Sequence, residues 1–309
     1  MKKLSIIIPC YNEQESLPLF YPAVKKIVKK IPVKPEYIFV NDGSSDDTLK
    51  ELKKIQQEDK EHVHYISFSR NFGKEAALYA GLQAATGDLV VVMDADLQDP
   101  PELLIEMYYW IKTGEWDMVG CRRVDRNGES KLKSWLSNMF YKVANKISET
   151  KLVPGVRDYR MMTRQVVDAV LSMSEYSRFS KGIFSWVGFN TKYLSYSNVQ
   201  RVAGKSDWTI WQLFKYAMDG ISDFSQAPLN ITLWLGFVSF IVSFFAIIFI
   251  VVRHWIFPQY AINGWSSLVC IILLIGGLQL LCIGLVGRYI GRIYLQVKRR
   301  PIYIIKEKK

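Results

Sequence analysis

The segment Val90–Glu102, VVVMDADLQDPPE, runs a stretch of apolar residues straight into Asp94, Asp96 and Asp99, with Gln98 among them. Acids gathered at the mouth of a buried strand are unfavourable unless something offsets them, because neighbouring carboxylates repel one another. On an extended backbone Asp94, Asp96 and Gln98 occupy alternate positions and point their oxygens to one side. Hard oxygen ligands at that spacing suit Mg²⁺ or Mn²⁺, which in turn binds a diphosphate. Asp99 precedes Pro100 and Pro101 at an expected helix start, where it reads as a cap.

Two earlier apolar runs end in similar chemistry. The first gives way to Pro9-Cys10-Tyr11-Asn12-Glu13, the second to Asn41-Asp42-Gly43-Ser44-Ser45-Asp46. An Asp after a buried strand can accept hydrogen bonds from a base or ribose, and Gly43 lets the chain turn close to a ligand. Turn chemistry, with Asp46 or Ser45 as a helix cap, accounts for each residue taken singly. In RNFGKEAALYAG, Lys74 stands in a first helical turn, where the helix dipole disfavours a cation. A nearby phosphate would resolve that conflict; a solvated lysine is the plain alternative.

The elements that must position these residues alternate in type. Strand-length apolar runs at Leu4–Ile8, Tyr37–Val40, Val63–Phe68, Leu89–Met93 and Met118–Gly120 are separated by helical periodicity at about 15–30, 46–58, 73–85 and 101–112. That order predicts an α/β domain with a mostly parallel, helix-covered sheet, whose ligands bind at the carboxyl ends of the strands. MKKLSIIIPC is read as the first strand: its apolar run is short and no small-residue cleavage site follows.

Further along, residues at about 129–147 form a basic amphipathic pattern with Leu132, Trp135, Leu136, Met139 and Phe140 on one face and Lys131, Lys133, Lys142 and Lys146 on others. It suits either packing on the domain or a membrane interface. A second amphipathic stretch, about 206–226, leads into a segment free of charge from Phe224 to Val252. Ile231–Val252 and Trp265–Val286 are each long enough to cross a bilayer, which takes about 20 residues. Arg288, Arg292, Lys298, Arg299, Arg300, Lys306, Lys308 and Lys309 follow the second span, whereas only Arg253 and His254 lie between the spans. The positive-inside rule therefore predicts a multi-pass cell-membrane protein with both termini and the α/β domain cytoplasmic, ending in a basic tail at 291–309. Glycines 276, 277, 284 and 287 permit close helix packing and self-association.

The 309 residues carry a formal charge of +11, which favours nucleotides, nucleic acid or an anionic membrane face as partners. Cys10, Cys121, Cys270 and Cys282 are scattered, and His62, His64 and His254 give no ligand spacing, so reduced thiols and no zinc site are expected.

Taken in order, IIIPCYNE, VNDGSSDDT, RNFGKEAALYAG, DADLQDPPE and GCRR resemble family 2 glycosyltransferases of GT-A fold. With two C-terminal spans, the whole chain looks like the polyprenyl-phosphate glycosyltransferases, the bactoprenol glucosyltransferases and dolichyl-phosphate mannose synthases among them. The resemblance implies that Pro9, Tyr11, Glu13 and Asp42 line a nucleotide pocket, and that Asp94, Asp96 and Gln98 hold the metal and donor diphosphate. It implies that Arg122 neutralises the acceptor phosphate; charge balance between two phosphates adds Lys131 or Lys133 there, and the helix-dipole conflict puts Lys74 at substrate. Asp158 in RDYRMMTR falls at a position proposed as a base, and Arg201 at an arginine near the phosphates. Lys205-Ser206 is followed by Asp207-Trp208 where related chains place Lys or Arg, a departure that touches Lys205. A QxxRW signature of processive synthases does not occur, so a single transfer is implied.

The implied reaction is metal-assisted, inverting transfer of one sugar, glucose or then N-acetylglucosamine, from a UDP-sugar to undecaprenyl phosphate, with no nucleic-acid partner. Two rivals stand beside it: a non-catalytic partner in lipid-linked sugar translocation, and a transferase to another lipid or polysaccharide.

Overall fold

The computed structural model describes residues 2–123, 145, 153–173, 175–176, 178–196, 227–256 and 264–309. Four βα steps and a fifth strand open the chain: β1 (Lys2–Cys10), α1 (Leu17–Val28), β2 (Val33–Asn41), α2 (Thr48–Glu58), β3 (Val63–Phe68), α3 (Lys74–Ala84), β4 (Leu89–Val92), α4 (Leu103–Lys112) and β5 (Met118–Arg123). Then follow β6 (Val156–Thr163), α5 (Arg164–Ser172), α6 (Ser180–Trp186) and β7 (Thr191–Tyr196). Two long helices, α7 (Ala227–Ile256) and α8 (Trp265–Val297), precede a last short strand, β8 (Ile305–Lys308).

The sheet has eight strands in the order β7-β5-β6-β4-β1-β2-β3-β8. β1 lies parallel to β2 and β4, β2 to β3, and β5 to β7, whereas β6 runs antiparallel between β4 and β5. The carboxyl ends of β1, β2, β4 and β5 therefore open on one edge, and β6 begins there.

The period of two along each strand sends alternate residues to opposite faces. Ile6 and Ile8 join Tyr37, Phe39 and Val91 in one core, under α1, α2 and α4. Ile7, Ile38, Val40, Val90 and Val92 join a second core with α3, α5 and α6. Covering both faces demands unbroken apolar runs, which is why these strands lack a polar side. In α1 the buried Leu17, Phe20, Tyr21, Val24, Ile27 and Val28 make the matching helical stripe.

Beyond the domain, α7 and α8 are each long and apolar enough to cross a membrane over Leu229–Ala246 and Leu274–Val297. Leu233, Trp234, Phe249, Leu274 and Leu280 are among their exposed side chains, a surface suited to lipid rather than water. This is the GT-A-like α/β domain with two C-terminal apolar helices that the sequence leads one to expect. Within this mostly parallel sheet β6 and β8 run antiparallel, and β8, from the basic tail, pairs with β3.

Candidate active site

At the end of β4 the chain does not continue extended. Met93 still donates to the Ile7 carbonyl at 3.0 Å, but the backbone then turns, Leu97 adopts φ +55°, and the Gln98 amide donates to Asp96 Oδ1 at 3.1 Å. The expected one-sided display of Asp94, Asp96 and Gln98 on an extended strand is thus corrected to a turn. A left-handed residue re-aims the side chains that follow it, and alternation ends where ladder pairing ends. Asp96 is buried, and Gln98 turns its Oε1 to Arg157 Nη2 at 2.9 Å.

Asp99 is corrected as well. Helix α4 starts only at Leu103, with Glu102 before it and no side-chain cap bond. The Asp99 carboxylate is instead buried at 1% exposure, accepting from the Tyr196 hydroxyl at 2.6 Å with Arg157 Nε 3.9 Å away. Burial, reinforced by Asp94, pushes its pKa up to about 6 despite the nearby guanidinium of Arg157.

Lys74 supplies the charge balance at this edge. Its Nζ lies 2.7 Å from Asp94 Oδ1 and 2.8 Å from Asp158 Oδ2, joining the end of β4 to the start of β6. Burial opposes the charged form of Asp158, yet Lys74 and then Lys181 outweigh it and hold the carboxyl well below the usual carboxylate range. Burial likewise disfavours the ammonium, but Asp158 and Asp94 hold it above the usual lysine range. The two carboxylates settle the conflict between Lys74 and the dipole of α3 within the chain.

The nucleotide side implied by the resemblance is built from three interlocked loops. Pro9 ends near the mouth of β1, Tyr11 is 45% exposed, and the Glu13 amide donates to Thr48 Oγ1 at 2.8 Å. The Asn12 amide donates to Ser44 Oγ, and Asn12 Oδ1 accepts from the Ser45 amide at 2.9 Å. Asp46 Oδ1 accepts from the Thr48 amide at 3.0 Å as a turn bond, whereas the residue before α2 is Asp47 and no side chain caps the helix, so the cap expected of Asp46 or Ser45 is corrected. Asp42 is almost fully buried, and its two oxygens accept from the Phe72 amide at 2.7 Å and the Gly73 amide at 2.9 Å. Burial raises its pKa, with those two amides acting against the shift. Beside it, Gly43 at φ +63° approaches so closely that a Cβ would meet the Arg70 carbonyl carbon at 2.2 Å.

Arg122 stands exposed at the end of β5, its Nε donating to Ser195 Oγ at 3.0 Å, with β6 between it and β4. Lys131, Lys133, Arg201 and Lys205, together with the amphipathic stretches at about 129–147 and 206–226, fall outside the described residues, apart from Asn145. Reasoning from sequence missed Arg157 and Tyr196. Arg157 sits beside Asp158 in a run already singled out; Tyr196 reaches Asp99 only across the sheet and has no local signal.

Residues 5–171 match the family described as Glycosyl transferase family 2. The chain belongs to that family. It is a glycosyltransferase, and its relatives align along nearly its whole length. It is 44% identical over 304 residues to the putative glycosyltransferase CsbB of Bacillus subtilis (strain 168), covering 98% of this chain and 91% of that one. It is 41% identical over 305 residues to the SfII prophage-derived bactoprenol glucosyl transferase of Shigella flexneri, covering 99% and 98%. Among solved structures, glucosyl-3-phosphoglycerate synthase from Mycobacterium tuberculosis, in complex with Mn²⁺, UDP-Glc and phosphoglyceric acid, superposes with a TM-score of 0.47 at 18% identity over 70% of this chain and 76% of that one.

Among the described residues no group of three or more His, Cys, Asp or Glu converges as a ready metal cage. Asp94 already holds a cation, the Lys74 ammonium, and Asp96 lies in the same turn with a buried carboxylate. That donor set fits a hard divalent ion that takes most of its remaining ligands from a diphosphate and water.

Proposed function

We propose that this glycosyltransferase moves one sugar from a nucleotide diphosphate sugar to a polyprenyl phosphate at the cytosolic membrane face. The observation that carries the reading is similarity over 99% of the chain, both apolar helices included, to proteins named bactoprenol glucosyl transferase. Those names favour glucose from UDP-glucose, with N-acetylglucosamine next.

In this reading Pro9, Tyr11, Glu13 and the loop held by Asp42 receive the nucleotide, and Asp94, Asp96 and Gln98 hold Mg²⁺ or Mn²⁺. Gln98 Oε1 is presently an acceptor for Arg157, so it joins by sharing or exchanging that bond. When bound, the metal offsets the charge gathering on the departing nucleoside diphosphate. Neutralising the phosphates is assigned to Arg122 and Arg201, with Lys131, Lys133 and Lys205, by charge and by the resemblance alone. An acceptor phosphate oxygen forms the new bond to C1 while the bond from C1 to the donor diphosphate breaks, its electron pair leaving with the nucleotide. A phosphate monoester has its second pKa near ~6 and is largely dianionic at neutral pH, so no proton need be removed. Asp158 then acts by holding Lys74, as befits a carboxylate kept below its usual range.

The test is product mass from purified protein in vesicles carrying undecaprenyl phosphate, supplied in turn with UDP-glucose, UDP-N-acetylglucosamine and GDP-mannose, with Mn²⁺, Mg²⁺ or a chelator. The expected product is the lipid phosphate plus one hexose, formed with metal and lost with chelator. Release of free sugar without lipid product, or chains of several sugars, would overturn the acceptor or the single-transfer assignment respectively.

A further inference from the structure

Helix α8 runs past Val286, the end of the span expected from sequence, through Arg288 and Arg292 to Val297, with Ile290, Ile293 and Val297 exposed along this last part. Near that end Gln296 Oε1 accepts from the Tyr176 amide of the domain at 2.7 Å. Arg299, at φ +48°, then reverses the chain, and β8 returns antiparallel to β3. The Tyr65 and Lys309 backbones exchange bonds of 3.0 and 2.9 Å, and the Ser69 amide donates to the Ile304 carbonyl at 3.0 Å. Side chains fix the same register: Tyr303 stacks on Phe68 with centroids 4.8 Å apart and donates to Gln83 Oε1 at 2.7 Å, and Lys53 Nζ lies 2.8 Å from Glu307 Oε1.

A strand of sequence IKEK has no apolar pattern of its own. It could simply cover the edge of β3, since an unpaired edge invites association. Edge protection alone, however, does not require the end of α8 to contact the domain before the strand begins. Nor does it explain why the strand lies on β3. That strand leads straight into Arg70–Gly73, the loop that Asp42 holds and that delivers Lys74 to Asp94. Ile302 of the tail also lines a cavity of about 170 Å³ together with Arg70, Phe72 and Glu75.

We propose that the end of α8 and β8 form a mount that fixes the height and tilt of the strand-end site above the membrane, so that an acceptor phosphate confined to the bilayer surface reaches it. The need is geometric: a lipid-borne nucleophile cannot follow a domain that swings, and small misplacement of reacting groups costs large factors in rate. This rests on the lipid-acceptor reading above.

Two experiments on the full-length protein in vesicles test it. Ile66 and Lys308 face each other across the strand pair. The variant carrying Ile66→Cys and Lys308→Cys should oxidise to an internally bridged monomer; a covalent dimer, or two thiols that stay free, would overturn the mount. Deletion of residues 302–309 is then assayed with a long-chain polyprenyl phosphate in vesicles and with a short, water-soluble prenyl phosphate. Transfer to the vesicle acceptor should fall by about tenfold or more, with the soluble acceptor changed less than about twofold and nucleotide-sugar binding intact. Equal losses on both acceptors, or none, refute the positioning role. If the deletion fails to fold, the variant with Tyr303→Ala and Glu307→Lys replaces it under the same criterion. A wild-type protein that uses neither acceptor sinks the acceptor reading, and the cross-link still decides whether the mount exists.

Discussion

Lys74 is the residue on which the strand-end charge depends, since among the described residues it alone forms ion pairs with both Asp94 and Asp158. Removing it leaves two carboxylates facing one another across β4 and β6, and removing Asp158 leaves Lys74 free to collapse wholly onto Asp94. Lys74→Met and Asp158→Asn should each lower turnover by about 10- to 100-fold. The double variant should be no worse than the poorer single one, because residues acting as a unit are not additive. Asp158 stays ionised across the working range, its carboxyl being held below the usual value, so Asp158→Asn should leave the shape of the pH–rate profile unchanged. A general base would behave otherwise, its loss erasing the acid limb. Arg157 acts one step away, holding Gln98 Oε1 at 2.9 Å and lying beside Asp99. On the proposed metal role of Gln98, Arg157→Met should weaken Mn²⁺ binding, read by the free-ion resonance signal, by about tenfold, the scale for groups that orient metal ligands.

The elements explain which of these contacts could be foreseen. Strands β1 to β5 announce themselves because burial on both faces forces continuous apolar runs, and their ends mark the edge where ligands bind. The motifs at Pro9, Asp42, Lys74 and Asp94 were legible for that reason. β6 was not, because Arg160 interrupts its apolar pattern; the guanidinium is nonetheless buried, lying 3.9 Å over the Phe184 ring with Nη2 donating to the Arg157 carbonyl. β8 was hidden by its polar composition, and the turn at Leu97 by a spacing of two that also suits a strand. Loop packing makes its own demands. Gly43→Ala adds a Cβ at 2.2 Å from the Arg70 carbonyl carbon, at a φ that only glycine adopts cheaply. It should cost about 2 kcal/mol or more, seen as a lowered melting temperature, with nucleotide binding weakened too. Asp59 shows how a connection is held electrostatically: its carboxylate accepts from Tyr21 and Lys25 of α1 at 2.6 Å and sits 2.7 Å from His62 Nδ1 ahead of β3. Burial opposes its charge, but Lys25, Tyr21 and His62 prevail and hold its pKa well below the normal carboxylate range. A depressed folded-state pKa gives stability that is present above the unfolded value of about 3.9 and lost as pH falls below it. Asp59→Asn should therefore cost about 2 kcal/mol at neutral pH and flatten the fall in melting temperature between about pH 4 and 2.

At the scale of the whole molecule, β8 constrains how the chain threads the membrane. A strand beyond α8 lies in the same sheet as β1, so the chain must leave and return to one side of the bilayer. The number of crossings between the domain and the tail is then even, and α7 and α8 either both span or neither does. Their exposed Leu233, Phe249, Leu274 and Leu280 make the second option costly in water. Eight basic residues follow the second expected span, from Arg288 to Lys309, against Arg253 and His254 between the spans, so the positive-inside rule predicts the cytosol for the shared side. A reporter active only outside the cytosol should therefore be active when fused after Ile256 and silent when fused after Lys309, and a reporter that fluoresces only in the cytosol should give the opposite pair. Activity of the external reporter at both points would mean that α8 does not cross. In that case β8 could not reach β3 of its own chain on the cytosolic side, so the fusion pair tests the threading and the strand pairing together.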